Sequence, residues 1–283
     1  MMSLSPRLLR ALGLAALALA CSGQSKSDDD DDATGGKSGT GGTGGVGGMA
    51  AASGMAGKPA QASCPDPNEA IDPTAVIDDM EDGDEYLTEV ADRNGGWWTA
   101  GDDTVGASMV PVQTELTDEL ARPEAIPEPR CGSHYAMRVT GQGFTDWGAV
   151  IGLGLVFGER SDGETGAIPY DVSAYQGVDF YARIGDTSTN EVRFQISDSN
   201  SDPDGGLCED VRGSDDECWD AFGVSLPQLD TTWRRYKIPF AGLTQRDFGY
   251  DADAVVTTAA YEITFNFPPS SVFDFWVDDL KFY

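Results

Sequence analysis

Two acidic groups in this chain have the residue types and spacing of a site. One is Asp78-Asp79-Met80-Glu81 in "VIDDMEDGD"; the other is Asp278-Asp279 in "FDFWVDDLKFY". The apolar residues around the second pair read as a buried strand. Strand neighbours point to opposite faces, so one acid, Asp279, is assigned to water. Asp278 must then face the packed side, where a bare carboxylate is costly unless it is paired or ligates a metal.

A sugar site needs aromatic faces for the apolar C–H surfaces of the rings and planar polar groups for their hydroxyls. Tyr181 and Arg183 lie on the polar face of an alternating strand and fit such a cleft. Trp219, beside a cysteine in a polar loop, is expected at the surface, and Trp97, Trp98 and Trp147 are further aromatic candidates. Trp147 and Trp233 stand in strand-like contexts and are expected to be buried. Other chemistries find less support. The chain has a single histidine, His134, so a Ser-His or Cys-His device would depend on it alone. "GLGLVFG" reads as a strand interior and not as the strand-to-helix turn of a nucleotide site. The acidic run "DSNSDPDGGLCEDVRGSDDEC" puts Pro203 where a helix–loop–helix calcium loop needs glycine, so it reads as a surface loop. A non-catalytic module is expected, with a divergent hydrolase or lyase, or a structural or adhesion protein, as the alternatives.

The elements that must position these residues begin after residue 65. Residues 1–20 hold Arg7 and Arg10, then an apolar stretch too short to span a bilayer, ending in Leu17-Ala18-Leu19-Ala20-Cys21. That ending resembles a bacterial lipobox, which implies lipidation at Cys21 and export to the outer membrane. Residues 21–65 are a Gly/Ser/Asp-rich tether that cannot bury a core. Random-coil scaling gives it a reach of about 35 Å. The net charge of −30 therefore belongs to residues 66–283. A field of that sign disfavours nucleic acid and anionic glycans and attracts divalent cations. Cys64, Cys131, Cys208 and Cys218 are an even set in an exported protein, and three disulfide pairings are open to them.

From Asp72 onwards, short alternating runs are separated by Gly, Asp, Asn and Pro. In "GVDFYARIG", Val178, Phe180, Ala182 and Ile184 share one face. Many short strands with turn signals predict an all-β, two-sheet jelly-roll sandwich over 66–283, with one short helix within residues 111–124.

The ordered set "VIDDMEDGD", "AMRVTGQGFTDWGAVIGLGL", "DVSAYQGVDFYARIG", "NEVRFQISDS", "TTWRRYKIPFAGLTQRDFG", "YEITFNF" and "FWVDDLKFY" resembles the family-11 carbohydrate-binding modules. The resemblance implies a polysaccharide partner, a β-glucan among them, and structural Ca2+ held by Asp79, Glu81 and Asp278. First and last strands of a sandwich often pair, which would bring these acids to one hard cation. It also implies cleft residues at Arg246, Asp247 and Phe248, and at Tyr261 and Phe267 on the "YEITFNF" strand. Tyr261 stands where the family has an acid, and Asp146 stands where it has an exposed tyrosine. A monomer is expected, touching a membrane only through its lipid.

Overall fold

The computed structural model describes Cys64 and residues 70–111, 121–160, 163 and 165–283. The leader, Cys21, almost all of the tether and most of the expected helix lie outside these residues. Among the described residues the helical pieces are the 3-10 turns Pro73–Ala75 and Pro203–Gly205. The rest is strand and loop: β1 (Val76–Asp78), β2 (Gly96–Gly101), β3 (Ser108–Val110), β4 (Glu124–Arg130), β5 (Ser133–Gln142), β6 (Ala149–Gly154) and β7 (Phe157–Glu159). They continue as β8 (Thr165–Ala167), β9 (Gly177–Ile184), β10 (Arg193–Asp198), β11 (Phe222–Ser225), β12 (Arg234–Pro239), β13 (Ala260–Phe267) and β14 (Val272–Phe282).

Two antiparallel sheets pack as a jelly-roll β-sandwich. The first runs β12-β9-β14-β5-β3, with β1 on β14 and β4 on β5; the second runs β11-β10-β13-β6-β2. Period-2 alternation builds the core between them. β9 turns in Val178, Phe180, Ala182 and Ile184, and β13 turns in Ile263, Phe265 and Phe267. Phe180 lies 5.6 Å from Phe194 and 5.2 Å edge-on from Phe265, the offset and edge geometries aromatic rings prefer. Phe267 stacks on Phe273 at 4.2 Å.

The outer face of the first sheet is also buried, because β4 folds across it. Ile126 of β4 packs against Ala136, Tyr181, Trp233 and Trp276 in a second apolar cluster. Arginines interleave with the rings. Arg138 and Arg183 lie 4.7 Å and 4.8 Å from the Trp276 ring, and Arg183 also lies 5.3 Å from Trp233. Arg130 lies 5.6 Å from Trp233 and 3.8 Å from Tyr181. A guanidinium over an indole is favourable and tolerates partial burial.

The four cysteines pair as Cys64–Cys131 and Cys208–Cys218. The first ties the segment before β1 to the β4–β5 turn; the second pins the loop between β10 and β11.

Candidate functional site

The acids named from the sequence do not converge on a cation. β14 keeps Phe273, Phe275 and Val277 in the core, then resumes with Leu280 and Phe282. The phase slips by one residue between Asp278 and Lys281, where Asp279 has a φ of +52°. A bulge of this kind lets two successive side chains leave the core together. Asp278 and Asp279 therefore both reach Arg130, with Asp278 Oδ2 2.8 Å from Nη2 and Asp279 in direct contact. Ser133 Oγ donates to the same Asp278 oxygen at 2.7 Å. Glu81 turns elsewhere, accepting from the backbone N–H groups of His134 (2.8 Å) and Tyr135 (3.0 Å). Asp79 accepts from the Glu81 N–H.

Among the described residues no three His, Cys, Asp or Glu side chains gather as a metal set. Asp79, Glu81 and Asp279 do line one cavity of about 200 Å³, but Arg130 lines it with them. A calcium ion there would meet the permanent positive charge of Arg130, already paired with Asp278 and Asp279, while Asp79 and Glu81 accept from backbone N–H groups, so these residues do not fit the expected ion. Asp78, next in sequence, is buried. Its carboxylate accepts from Trp97 Nε1 at 2.7 Å and from the Met80 N–H at 2.9 Å. Burial pushes Asp78 up to about 7. Asp278 rises to about 6 through burial and the charge of Asp279, against the pull of Arg130.

The expected sugar-cleft residues separate into three places. Tyr181 and Arg183 lie on the outer face of the first sheet, under β4. Tyr181 is 2% exposed, and Arg183 is stacked between Trp233 and Trp276. Neither lines an open cleft. Tyr261 and Phe267 are buried. Tyr261 is held by a hydrogen bond from its hydroxyl to the Asp204 carbonyl (3.3 Å), and Phe267 faces the core with the parity of Phe265. Arg246, Asp247 and Phe248 are exposed, and Arg246 reaches Asn266 on the outer face of the second sheet. Asp220, itself buried, accepts from the backbone N–H groups of Arg246 and Phe248 and shapes their turn. Asp146 and Trp219 are exposed as well. Asp146 forms a two-pronged pair with Arg212, and Trp219 donates from Nε1 to Asp210 at 3.1 Å. Trp147, expected inside, is 40% exposed, because β6 begins only at Ala149 and leaves the indole on the preceding turn.

The outer face of the second sheet is read from its register. One row across it is Trp98, Gly152, Thr264, Gln195 and Gly223; the next is Ala100, Val150, Asn266, Arg193 and Ser225. Trp97 and Trp98 are consecutive, so Trp97 enters the core and Trp98 lies on this face. Gly152 makes room for the indole: a Cβ there would meet Trp98 Cζ2 at 2.7 Å and Thr264 Cγ2 at 2.8 Å. At the other edge Arg246 Nη2 donates to Asn266 Oδ1 at 3.0 Å. The β10–β11 loop crosses towards β6, where Arg212 reaches Asp146. Of this face the sequence singled out Trp98 and Arg246. Thr264, Asn266, Gln195 and Arg193 were missed, although they are the polar members of alternating strands whose apolar members were recognised. A second cavity, of about 470 Å³, lies among the loops holding Asp186, Asn190, Glu191, Asp230 and Ser270, and no aromatic side chain lines it.

The fold and this face define a β-sandwich with one sheet face presenting an aromatic ring, a glycine floor and a polar edge. No protein-family model matches the chain. No curated protein matches it either. Among solved structures it is similar to the family 11 carbohydrate-binding module of a cellulosomal cellulase of Clostridium thermocellum. That match has 17% identity over 73% of this chain and 92% of the other, with a TM-score of 0.43. The same organism's module in complex with a β-1,3-1,4-mixed-linked tetrasaccharide matches at 17% identity over 74% and 94%, TM-score 0.41. A family 30 carbohydrate-binding module matches at 12% identity over 74% and 86%, TM-score 0.44.

Proposed function

We propose that the chain is a non-catalytic carbohydrate-binding protein whose ligand lies on the outer face of the second sheet. The observation that carries this is the row from Trp98 over Gly152 to Thr264, bordered by Asn266 and Arg246; Gln195, next in the row, is buried and donates to the Ala221 carbonyl. A half-buried indole lying over a glycine offers a flat apolar surface at ring height, and amide, hydroxyl and guanidinium groups beside it suit sugar hydroxyls. Glycoside hydrolysis needs two opposed carboxylates; the row beyond Thr264 carries one, Glu262 opposite Gly154, and the two rows named above carry none. The sequence further supports a lipid anchor at Cys21, a tether and an outer-membrane location. In this reading first and last strands are joined by their own backbone pairing, and Arg130 ties β4 to the acids of β14.

Affinity electrophoresis of the full chain, through gels containing mixed-linkage β-glucan, xylan or mannan, tests the reading. One polymer is expected to retard it. Trp98→Ala should weaken that retardation about tenfold or more, since an aromatic–ligand contact is worth about 1 kcal/mol beyond its buried area. Migration unaffected by every polymer, with the protein folded, would sink the assignment. The arginine staple has its own test: thermal unfolding is expected at the same temperature in calcium and in EDTA. A Tm lower by several degrees in EDTA would reinstate the metal.

A further inference from the structure

The arginines divide unevenly. In a protein of net charge −30, most of the described arginines touch a carboxylate, as Arg122, Arg130, Arg138, Arg160, Arg212, Arg234 and Arg235 do. Arg93 is spent on the carbonyls of Thr74 and Val76, and Arg183 is stacked between two indoles. Arg193 and Arg246 remain. Among the described residues neither forms an ion pair with a carboxylate.

These two are neighbours on the face described above. Arg193 is the direct cross-strand partner of Asn266, and Arg246 donates to the side chain of that same Asn266. Arg193 lies over Gly223, where a Cβ would come within 3.0 Å of its Nε, and its Nη2 reaches the Thr244 carbonyl. Its Nε is buried without a hydrogen-bond partner. The nearby acid is Asp220, whose two oxygens are already taken by backbone N–H groups. Burial depresses the basicity of both arginines, and the charge of Arg246 depresses Arg193 further. Two adjacent like charges, Arg193 partly buried and Arg246 more exposed, are unfavourable for the fold alone. In a chain with such an excess of acid, leaving both without a counter-charge makes sense when an anion completes them.

We infer that this face takes an acidic sugar, its oxyanion held between the Arg193 and Arg246 guanidiniums while a neighbouring ring rests on Trp98. The inference rests on the carbohydrate-binding reading and names its ligand class. Guanidinium forks match oxyanions in directed, charge-assisted pairs. The overall negative charge opposes this at long range, but in physiological salt it is screened beyond about 8 Å. Contact is then decided by the two local cations. The oxyanion could be the carboxylate of a uronate or a sulfate ester.

Calorimetric titration of the full chain with three short probes tests it: an oligogalacturonate, its fully methyl-esterified form, and a sulfated galactan oligosaccharide. A mixed-linkage β-glucan tetrasaccharide is the neutral reference. An acidic probe is expected to bind about tenfold or more tighter than the neutral ones, as a charge-assisted contact implies. The oligogalacturonate winning identifies a carboxylate, and the galactan winning identifies a sulfate. In Arg193→Met with Arg246→Gln, that advantage is expected to vanish while the unliganded Tm stays level or rises, which a purely structural pair would not show. Equal binding of acidic and neutral probes overturns the inference and leaves the carbohydrate reading standing. Binding to none of the four overturns both.

Discussion

Arg130→Met is expected to destabilise the domain by about 3–5 kcal/mol, the usual cost of stripping one partner from a buried ion pair. That is a large share of the roughly 5–15 kcal/mol typical of a folded domain. The variant keeps most of the side chain's volume but leaves Asp278, whose side chain is fully buried, with only Ser133 as a donor. It also removes the cation from the Tyr181 ring at 3.8 Å. Urea unfolding at pH 7.5 measures the loss, and less than about 1 kcal/mol would show that the pair contributes little. Adding Asp278→Asn should recover part of it, because the double variant no longer buries an unpaired charge. The deficit of Arg130→Met alone should also narrow as pH falls towards 6, because without the cation Asp278 rises further and the variant takes up its proton before the wild type does.

The second large effect is an inverted pH dependence. Asp78 is raised from 3.8 to about 7, and Asp202 and Asp278 to about 6, in each case chiefly by burial. A carboxyl raised in the folded state binds its proton more tightly there than in the unfolded chain. Stability then falls as pH rises between about 4 and 7, by the linkage of proton uptake to unfolding. Every tenfold gain in proton affinity on folding corresponds to about 1.4 kcal/mol. On the acid side, Asp146 is held low by Arg212, and Asp72 and Asp171 by the hydroxyls of Thr74 and Ser173. Their contributions are lost only below about pH 4. Maximal stability is therefore expected near pH 4–5, with Tm higher at pH 5 than at pH 7.5. A Tm that is level or rises over that interval would contradict the assignment of these buried acids.

How much could be read in advance depended on whether a residue answered to its own strand or to a distant one. The alternation of β9 placed Val178, Phe180, Ala182 and Ile184 on the core face. The same count assigned Tyr181 and Arg183 to solvent, and it failed because β4 covers them, a long-range event with no local signature. Period-2 parity with Ile263 and Phe265 already places Phe267 inside, and the family resemblance drew it wrongly to the surface. Asp278 and Asp279 were assigned opposite faces on the premise of unbroken pleating, which the bulge at Asp279 removes. Trp97 and Trp98 must face opposite ways, but only pairing with β6 decides which goes in. Arg193 and Arg246 are 53 residues apart in sequence, and only the fold places them side by side.

β14 occupies the middle of the first sheet, with β9 along one side and β5 then β1 along the other. Until residues 272–282 have been synthesised, β5 and β9 have no common neighbour and the Arg130 staple has no acids to grip. Pairings of such long sequence separation form slowly, because loop closure precedes any reward from contact. The domain is thus expected to stay open until β14 is available and to close in one late cooperative step.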